Sequence, residues 1–542
     1  MKSYTSGISE VPLLGDTIGE NLDRTVAAFA DREALVDCAS GRRWTYAQFG
    51  RAVDDVARGL IAIGLEKGDR LGIWAPNCPE WALVQYATAK IGAIMVNINP
   101  AYRLQELEYV LNQSGISVLV SYQVHKSSNY RDMVGRVRSS CPQVQGVIYI
   151  GDPTWDELIA AGVDLPDSAL AQRAQVLSCD DPINIQYTSG TTGFPKGSTL
   201  SHHNILNNGY FVGGLLAYTE EDRVCLPVPF YHCFGMVMGN LAATSRGACI
   251  VIPAPSFEPA ATLEAVAKER ATSLYGVPTM FIAELGLPGF AGYDLSSLRT
   301  GIMAGSPCPV EIMKRVVTEM NMTEVAICYG MTETSPVSTQ TRRDDDLGRR
   351  TATVGAVMPH VEIKIIDSVT GATLPRGEPG ELCTRGYSVM LGYWNDPEHT
   401  AEVIDAARWM HTGDLAVMRE DGYINIVGRF KDMIIRGGEN VYPREIEEFL
   451  YGHPKILDVQ VIGVPDERFG EAILACVILN DPDSTLTQPE IAEFCRENLA
   501  HYKIPKYVRR VDSFPMTVSG KVRKVEMRAW AIEELGLTPG AR

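Results

Sequence analysis

The chain has 542 residues, of which 45% are hydrophobic, and its formal net charge at pH 7 is −17, from 49 Lys and Arg against 66 Asp and Glu. Because a single hydrophobic core stops growing at roughly 250–300 residues, this length predicts several domains. The acidic balance, without a long run of Lys and Arg, argues against a clustered basic surface for nucleic acid.

The N-terminal sequence and the cysteines restrict the location of the protein. The start, MKSYTSGISEVPLLGDT, lacks a basic region followed by an apolar core, and no uninterrupted apolar run reaches roughly 18 residues. We therefore expect a soluble, cytoplasmic protein without a transmembrane segment. The 12 Cys residues show no C-x-x-C pair and the chain has no H-E-x-x-H motif, so spacing favours neither a zinc site nor a disulfide framework. We expect reduced thiols that are mostly buried.

Apolar runs alternate with helix-like segments from the N-terminus to about Ser306. Leu71–Trp74 and Val118–Val120 are predicted strands, and Glu80–Ile91 is a predicted helix. This alternation is typical of α/β layers with largely parallel sheets. From Val354 to Tyr393, short strands punctuated by Gly and Pro predict a small β-rich, barrel-like subdomain.

The last part of the chain returns to a mixed α/β pattern, with a helix from Pro443 and strands near Val459–Gly463 and Ala475–Leu479. The predicted fold class is therefore α/β. A large N-terminal domain, residues 1–430, contains two α/β subdomains and a small β-barrel-like subdomain. A small, mobile α+β C-terminal domain follows in residues 431–542.

The most informative stretch is YTSGTTGFPKGSTLSH, Tyr187–His202. The preceding INIQ predicts a buried strand, and Ser201 is the predicted N-cap of a following helix. The glycines permit close backbone approach, the hydroxyl and amide groups donate hydrogen bonds, and Lys196 adds a positive charge. The loop is therefore predicted to hold the phosphates of a nucleoside triphosphate.

The loop differs from that of the P-loop NTPases. Their pattern G-x-x-x-x-G-K-(S/T) nearly fits, but Pro195 stands where its second Gly should be and Gly197 where its Ser or Thr should be. The chain instead resembles the adenylate-forming superfamily of acyl-CoA synthetases, nonribosomal-peptide adenylation domains and beetle luciferases, over nearly its whole length. Residues 188–197 match the family signature (S/T)-(S/T)-G-(S/T)-T-G-x-P-K-G. The family's other motifs follow in order as FYHCFGM, YGVPTM, AGSP, YGMTET, TGDL, GRFKDMI and PMTVSGKVRK.

The resemblance implies a reaction in two halves. A carboxylate attacks the α-phosphate of ATP to give an acyl-adenylate and pyrophosphate, and the thiol of coenzyme A then forms a thioester. Catalysis would rest on positioning and cation stabilisation, because the transferring phosphoryl carries spread negative charge. The implied cofactors are ATP, Mg²⁺ and coenzyme A. The implied partner is a carboxylic acid substrate, with no nucleic acid, and a homodimer is a candidate assembly.

The resemblance also implies the catalytic residues. Thr332 would contact the α-phosphate, Glu333 and Thr188 would hold Mg²⁺, and Lys521 would reach the developing charge from the C-terminal domain. His232 corresponds to the family's aromatic or His gate near the acyl carboxylate, although a His beside aromatic residues is also typical of simple packing. A Cys–His nucleophile involving the adjacent Cys233 is rejected, because adenylation needs no thiol nucleophile. His202 and His203 are predicted to be local helix-start residues.

The implied ligand contacts form four groups. The implied phosphate-loop residues are Thr188, Ser189, Gly190, Thr191, Thr192, Gly193, Phe194, Pro195 and Lys196. Those implied around the adenine are Gly305, Ser306, Pro307, Tyr329, Gly330 and Met331. Asp414 and Arg429 would bind the ribose, with the phosphate as an alternative for Arg429. The coenzyme A contacts would be Arg436, Gly437 and Gly438.

Taken alone, several of these residues have simpler explanations: Glu333 as a solvated charge, Asp414 as a turn residue and Lys521 as part of a basic tail. Only their joint match to the motifs favours the catalytic interpretation. Because Lys521 and the coenzyme A contacts cannot face one pocket together, the resemblance implies a rotation of the C-terminal domain about Lys431.

The acid is predicted by comparison within the family. Acetate-activating relatives place a Trp where this chain has Gly330, so a longer acyl tunnel is expected. Amino-acid-activating relatives use an Asp at the position of Tyr231, so an amino acid is disfavoured. WAPNCPEW, VNINPAYR and GYWNDPEHT most resemble medium-chain fatty-acyl-CoA synthetases. Aryl or short branched acids are the alternatives, and a luciferase-like oxidase or a noncatalytic adenylate-binding module are alternatives of another class.

Overall fold

The computed structural model describes residues 1–188, 195–437, 439–517 and 522–537. Strands and helices alternate through most of this length, as the hydrophobic pattern predicts. The strands are β1 (Tyr4–Ser6), β2 (Glu33–Asp37), β3 (Arg43–Thr45), β4 (Arg70–Trp74), β5 (Ile94–Asn97), β6 (Ile116–Ser121), β7 (Val124–His125), β8 (Ser128–Asn129), β9 (Gly146–Tyr149), β10 (Pro182–Thr188), β11 (Lys196–Ser201), β12 (Arg223–Cys225), β13 (Cys249–Ile252), β14 (Ser273–Gly276), β15 (Thr300–Ala304), β16 (Glu324–Gly330), β17 (Val337–Gln340), β18 (Ala356–Val357), β19 (Val361–Ile366), β20 (Gly380–Gly386), β21 (Gly392–Tyr393), β22 (Met410–Met418), β23 (Ile424–Arg429), β24 (Ile434–Arg436), β25 (Glu439–Val441), β26 (Ile456–Asp466), β27 (Gly470–Leu479) and β28 (Tyr507–Arg510).

The helices are α1 (Ile18–Phe29), α2 (Tyr46–Ala62), α3 (Pro79–Ile91), α4 (Leu104–Ser114), α5 (Tyr130–Val137), α6 (Pro153–Ala161), α7 (Asp167–Ala174), α8 (His202–Leu215), α9 (Ala242–Thr244), α10 (Pro259–Glu269), α11 (Pro278–Leu285), α12 (Val310–Glu319), α13 (Leu347–Ala352), α14 (Pro397–Val403), α15 (Pro443–Leu450), α16 (Gln488–Cys495) and α17 (Lys524–Glu534). A π-helix, Phe234–Leu241, runs directly into α9. Short 3-10 turns cover Arg138–Ser140, Phe290–Gly292, Thr332–Thr334 and His501–Lys503.

Local sequence explains where several helices begin and end. Pro79 and Pro443 occupy the first turns of α3 and α15, where a missing backbone N–H does no harm. Gly92 ends α3 in the left-handed region at φ 75°. Ser201 caps α8 by accepting a hydrogen bond from the Asn204 N–H, which confirms the predicted helix start.

Two large sheets carry most of the N-terminal domain. The seven-stranded sheet has the order β21-β11-β10-β5-β4-β6-β9, and the nine-stranded sheet has the order β18-β17-β16-β15-β14-β12-β13-β2-β3. Their central strands run parallel, while β11, β21, β17, β18 and β3 add antiparallel edges. The prediction of largely parallel α/β layers is confirmed.

A third, five-stranded antiparallel sheet has the order β1-β19-β20-β22-β23 and contains β19 and β20 of the predicted β-rich segment, whereas β18 and β21 of that segment join the two large sheets. The sheet extends beyond the predicted segment in both directions along the sequence. The N-terminal strand β1 joins its edge, with Tyr4 opposite Lys364, and β22 and β23 complete it. No pattern within residues 354–393 indicates that β1, β22 or β23 joins this sheet.

The C-terminal part forms its own sheet, in which β24, β26 and β28 pair with β27 and β25 pairs with β24. Two hydrophobic clusters in this part contain only residues from Ile434 onward, so it has a core of its own. The predicted domain boundary, after residue 430, lies in the turn between β23 and β24. All 12 cysteines are free thiols and ten are buried, as expected. Among the described residues, no helix is both long and apolar enough to cross a membrane.

Candidate active site

The predicted adenine motifs lie at the carboxyl ends of two neighbouring parallel strands. Ala304, the last residue of β15, pairs with Cys328 in β16, so Gly305–Pro307 and Tyr329–Met331 emerge at the same edge of the sheet. Ligands of open α/β sheets bind at this kind of edge. Gly305 has φ +93°, a left-handed conformation that a side chain would strain.

A second group of residues surrounds the Glu333 carboxylate. Glu333 lies in a 3-10 turn after β16 and is 5% exposed. Its Oε1 accepts hydrogen bonds from Thr188 Oγ1 at 3.2 Å and from the Tyr393 hydroxyl at 3.0 Å. Lys196 Nζ lies 5.3 Å from the centre of the Tyr393 ring. The structure therefore brings Thr188, Lys196 and Glu333 together, although Thr188 and Glu333 are 145 residues apart in the sequence.

Tyr393 is a site residue that the sequence interpretation missed. Burial, then the Glu333 charge, raises the pKa of its hydroxyl, so the group is a proton donor at neutral pH. The surrounding segment also contacts the site through its backbone: Met390 N–H donates to the Glu333 carbonyl at 2.9 Å and Trp394 N–H to the Gly197 carbonyl at 2.7 Å. The motif GYWNDPEHT, which is part of the family resemblance, contains this residue, but the motif alone does not indicate what Tyr393 does.

A third group is built around Asp414 on β22. The side chain of Asp414 is 8% exposed, and its carboxylate accepts a hydrogen bond from the Tyr329 hydroxyl at 2.7 Å. Arg429 on the adjacent β23 places Nε 3.0 Å from Asp414 Oδ1, although its own side chain is 57% exposed. Asp414 is the main cause of the raised pKa of Arg429. The predicted residues Tyr329, Asp414 and Arg429 thus form one connected cluster.

The motif FYHCFGM leads into the π-helix after β12. The His232 ring contacts that of Tyr231, with centroids 4.8 Å apart. Cys233 donates from Sγ to Gln186 Oε1 at 3.1 Å and is buried. Burial, together with the charge of Glu333, raises the pKa of the Cys233 thiol, which argues against a thiolate nucleophile and supports the rejection of the Cys–His pair. π-helices are rare in proteins, and those that occur are often found at functional sites.

Gly330 has a structural reason to be glycine. A Cβ at this position would lie 1.7 Å from the Pro336 carbonyl oxygen, where no side chain fits without a backbone shift. The proposed link between Gly330 and the length of an acyl tunnel stays a prediction. His202 is a structural residue, as predicted: its buried Nδ1 accepts the Ile18 N–H at 3.1 Å, and burial lowers its pKa to about 3.

The predicted coenzyme A residues make their described contacts within the C-terminal domain. Arg436 Nη1 donates to the carbonyl of Tyr502 at 2.6 Å, and the Gly437 N–H donates to the carbonyl of Phe469 at 2.8 Å. Lys431, the predicted hinge, lies in the turn that follows β23. The predictions that fall outside the described residues are those for Ser189, Gly190, Thr191, Thr192, Gly193, Phe194, Gly438 and Lys521.

Comparisons with known proteins agree over nearly the whole chain. The family model described as "AMP-binding enzyme" matches residues 22–394, and that described as "AMP-binding enzyme C-terminal domain" matches residues 445–521. The Bacillus subtilis protein YngI, to which an acyl-CoA synthetase activity is ascribed, is 48% identical, over 97% of this chain and 99% of YngI. The mitochondrial medium-chain acyl-CoA ligase ACSF2 of Danio rerio is 45% identical, over 99% of this chain and 91% of that protein.

A solved structure of high similarity is that of the anthranilate CoA ligase AuaEII in complex with anthranoyl-AMP. It superposes with a TM-score of 0.88 at 26% sequence identity, covering 97% of this chain and 99% of the other. The similarity therefore extends across both parts of the chain.

Proposed function

This chain belongs to the AMP-binding enzyme family, and we propose that it is an ATP-dependent acyl-CoA synthetase that acts on a medium-chain fatty acid. The carboxylate attacks the α-phosphate of ATP, the acyl-adenylate forms, and pyrophosphate leaves. The sulfur of coenzyme A then attacks the acyl carbon, and AMP leaves. The observation that carries this proposal is the convergence of Thr188, Lys196 and Tyr393 around the buried Glu333 carboxylate.

We propose that Glu333 and Thr188 hold Mg²⁺ with the phosphates of ATP. The donor set fits this ion, because a buried carboxylate beside a hydroxyl offers only oxygen and Mg²⁺ prefers oxygen ligands from one or two carboxylates plus substrate phosphates. Bound Mg²⁺ would neutralise phosphate charge. Tyr393 would orient the Glu333 carboxylate through its hydrogen bond, and Lys196 would add a second positive charge beside the phosphates.

The remaining roles follow from the other clusters. Asp414 would accept hydrogen bonds from the ribose hydroxyls, since it is a buried carboxylate whose orientation is held by Tyr329 and Arg429. Gly305–Pro307 and Tyr329–Met331 would line the adenine slot. Thr332 would contact the α-phosphate, and His232 would lie near the acyl carboxylate.

Two further roles rest on residues of the C-terminal domain. Lys521 would stabilise the charge that develops between the carboxylate and the α-phosphate. Arg436, Gly437 and Gly438 would contact coenzyme A in the second half reaction. Because both sets must reach one pocket, we propose that the domain rotates about Lys431 between the two steps.

The choice of acid distinguishes two related proposals. Danio rerio ACSF2, a relative at 45% identity, is named a medium-chain acyl-CoA ligase, which supports a medium-chain fatty acid here. The AuaEII structure, with its TM-score of 0.88, contains an aryl acyl-adenylate, which supports an aryl acid as the second candidate. Its lower identity of 26% makes it the weaker guide to the acyl pocket.

The test measures both half reactions with a panel of acids. Pyrophosphate release and thioester formation are followed with straight-chain acids from acetate to palmitate, with branched acids and with benzoate and anthranilate. We expect the highest kcat/KM with acids of medium length, and we expect Glu333→Gln to abolish turnover of the preferred acid. A maximum with benzoate or anthranilate would favour the second candidate.

The same assay separates the other classes. Pyrophosphate release without thioester, together with light from added luciferin, would indicate a luciferase-like oxidase. Binding of an acyl-adenylate analogue with no turnover of any acid would indicate a noncatalytic module. We also propose a cytoplasmic location and a homodimeric assembly, which cell fractionation and light scattering would test.

A further inference from the structure

Three potential metal ligands lie on two adjacent strands of the five-stranded sheet. Glu381 and Cys383 are two residues apart on β20, so their side chains share one face of the sheet. His411 on β22 is the cross-strand partner of Cys383, and the register shifts between Glu381 and Cys383. The three side chains therefore converge on one point, although 28 residues separate Cys383 from His411.

The three ligand atoms lie close enough together to share one ion. Cys383 Sγ lies 3.6 Å from His411 Nδ1, and His411 Nδ1 lies 3.0 Å from Glu381 Oε2. All three ligand atoms lie within 4.8 Å of one another. Tetrahedral zinc, with bonds of about 2.3 Å to sulfur and about 2.0–2.2 Å to nitrogen and oxygen, separates sulfur from nitrogen by about 3.6 Å and nitrogen from oxygen by about 3.4 Å. The sulfur–nitrogen distance therefore fits, whereas the nitrogen–oxygen distance would lengthen by about 0.4 Å when an ion replaces the hydrogen bond.

The surroundings suit a partly shielded cation. Cys383 is fully buried, whereas the side chains of Glu381 and His411 are 15% and 30% exposed, which leaves a path for an ion. Asp405 Oδ2 lies 3.8 Å from Nε2, the other ring nitrogen of His411. A carboxylate beside the second nitrogen is the usual arrangement around a metal-bound histidine.

The Cys383 thiol must lose its proton to become a ligand. A divalent ion at the centre of the cluster would replace the S–H bond by a metal–sulfur bond, and the proton would leave to solvent.

We propose that Glu381, Cys383 and His411 form a binding site for a divalent transition-metal ion, for which Zn²⁺ is the best match. Sulfur and imidazole ligands favour zinc over Mg²⁺, and three protein ligands leave a fourth position for water. This site is separate from the oxygen-only set at Glu333. It adjoins the Asp414 cluster, because Glu381 Oε1 also accepts the Gly413 N–H at 3.3 Å. A bound ion would therefore also fix the backbone that leads to Asp414.

The test uses Co²⁺ as a spectroscopic substitute for Zn²⁺ on the full chain after dialysis against a chelator. The wild type should show a thiolate-to-cobalt charge-transfer band and strong visible d–d bands at one ion per chain, and added Zn²⁺ should remove them. Cys383→Ser should lose the charge-transfer band. Cys476→Ser is the matched control, because Cys476 is also a fully buried strand cysteine, and it should keep the band.

The result that would overturn the proposal is a wild type without the charge-transfer band, or a Cys383→Ser variant that keeps it at wild-type intensity. Either result would leave the three residues as a hydrogen-bonded cluster only. Far-UV circular dichroism checks that the variants are folded. If Cys383→Ser does not fold, His411→Gln serves instead, with an expected loss of at least tenfold in Co²⁺ affinity; unchanged affinity would equally overturn the proposal.

Discussion

Tyr393→Phe is the sharpest test of how the Glu333 carboxylate is held. The change removes the hydroxyl that donates to Glu333 Oε1 at 3.0 Å, but it keeps the ring that lies under Lys196. A hydrogen bond to a charged group contributes about 1.5–3 kcal/mol, which corresponds to about 10- to 150-fold in an equilibrium constant. Loss of a partner that orients a metal ligand has a similar effect, about 10- to 100-fold.

We therefore expect Tyr393→Phe to raise the Mg²⁺ concentration needed for half-maximal pyrophosphate release by at least tenfold, with a smaller change in the KM for the acid. The assay titrates Mg²⁺ at a fixed, saturating ATP concentration. Tyr423→Phe is the matched control, because the Tyr423 hydroxyl also donates to a carboxylate, but to that of Asp345 and not of Glu333. This variant should keep the wild-type Mg²⁺ dependence.

Thr188→Val provides a second check, because Thr188 donates to the same oxygen of Glu333. Since the two hydroxyls share one acceptor, the effects of the single variants should not add in the double variant. If Tyr393→Phe leaves the Mg²⁺ dependence and kcat within twofold of the wild type, Tyr393 does not position Glu333 for the metal, and the proposed role of Tyr393 is wrong.

Four other predictions follow. Asp414→Asn should weaken ATP binding about tenfold or more and reduce the preference for ATP over 2′,3′-dideoxy-ATP, since a charged acceptor for the ribose is lost; an unchanged preference would exclude a ribose contact. The pKa of His202 is about 3 in the folded chain against about 6.5 when unfolded. The unfolded state therefore binds the extra proton, and stability should fall by up to about 1.4 kcal/mol per pH unit as pH drops below about 6.5. His202→Asn should make the free energy of unfolding depend less on pH in this range, and an unchanged pH dependence would contradict the role given to His202. Lys521→Ala should slow adenylation by about 10²–10³ while thioester formation from supplied acyl-adenylate persists; adenylation at the wild-type rate would exclude the role. Lys431→Pro should retain acid-dependent pyrophosphate release but lose thioester formation by orders of magnitude, because proline fixes φ near −65°; a folded variant that makes thioester from supplied acyl-adenylate at the wild-type rate would refute the hinge.

Local patterns predicted the elements whose signals lie within a few residues. The apolar run at Leu71–Trp74 became β4, Pro443 begins α15, and Ser201 caps α8. Such features depend on hydrophobic periodicity and on capping chemistry, which neighbouring residues determine. The strand β11 was not predicted, because the sequence after the phosphate loop was interpreted as leading directly to the helix.

Features that depend on distant pairing were beyond the sequence interpretation. The strand β1 joins the five-stranded sheet opposite β19, some 358 residues away, and no local pattern specifies that partner. The cluster of Glu381, Cys383 and His411 was missed for the same reason. Searches for metal sites rely on short spacings such as C-x-x-C, whereas these ligands meet only through the register of β20 and β22.

The polar clusters of the candidate site lie where the three sheets of the N-terminal domain meet. Thr188 and Tyr393 belong to the seven-stranded sheet, whereas Glu333 follows a strand of the nine-stranded sheet. Tyr329 also belongs to the nine-stranded sheet, and its hydroxyl contacts Asp414 in the five-stranded sheet. The carboxylates of Glu333 and Asp414 thus each accept a hydrogen bond from a hydroxyl that belongs to another sheet. The motifs could therefore identify the individual residues, but only the packing of the sheets determines which hydroxyl orients which carboxylate.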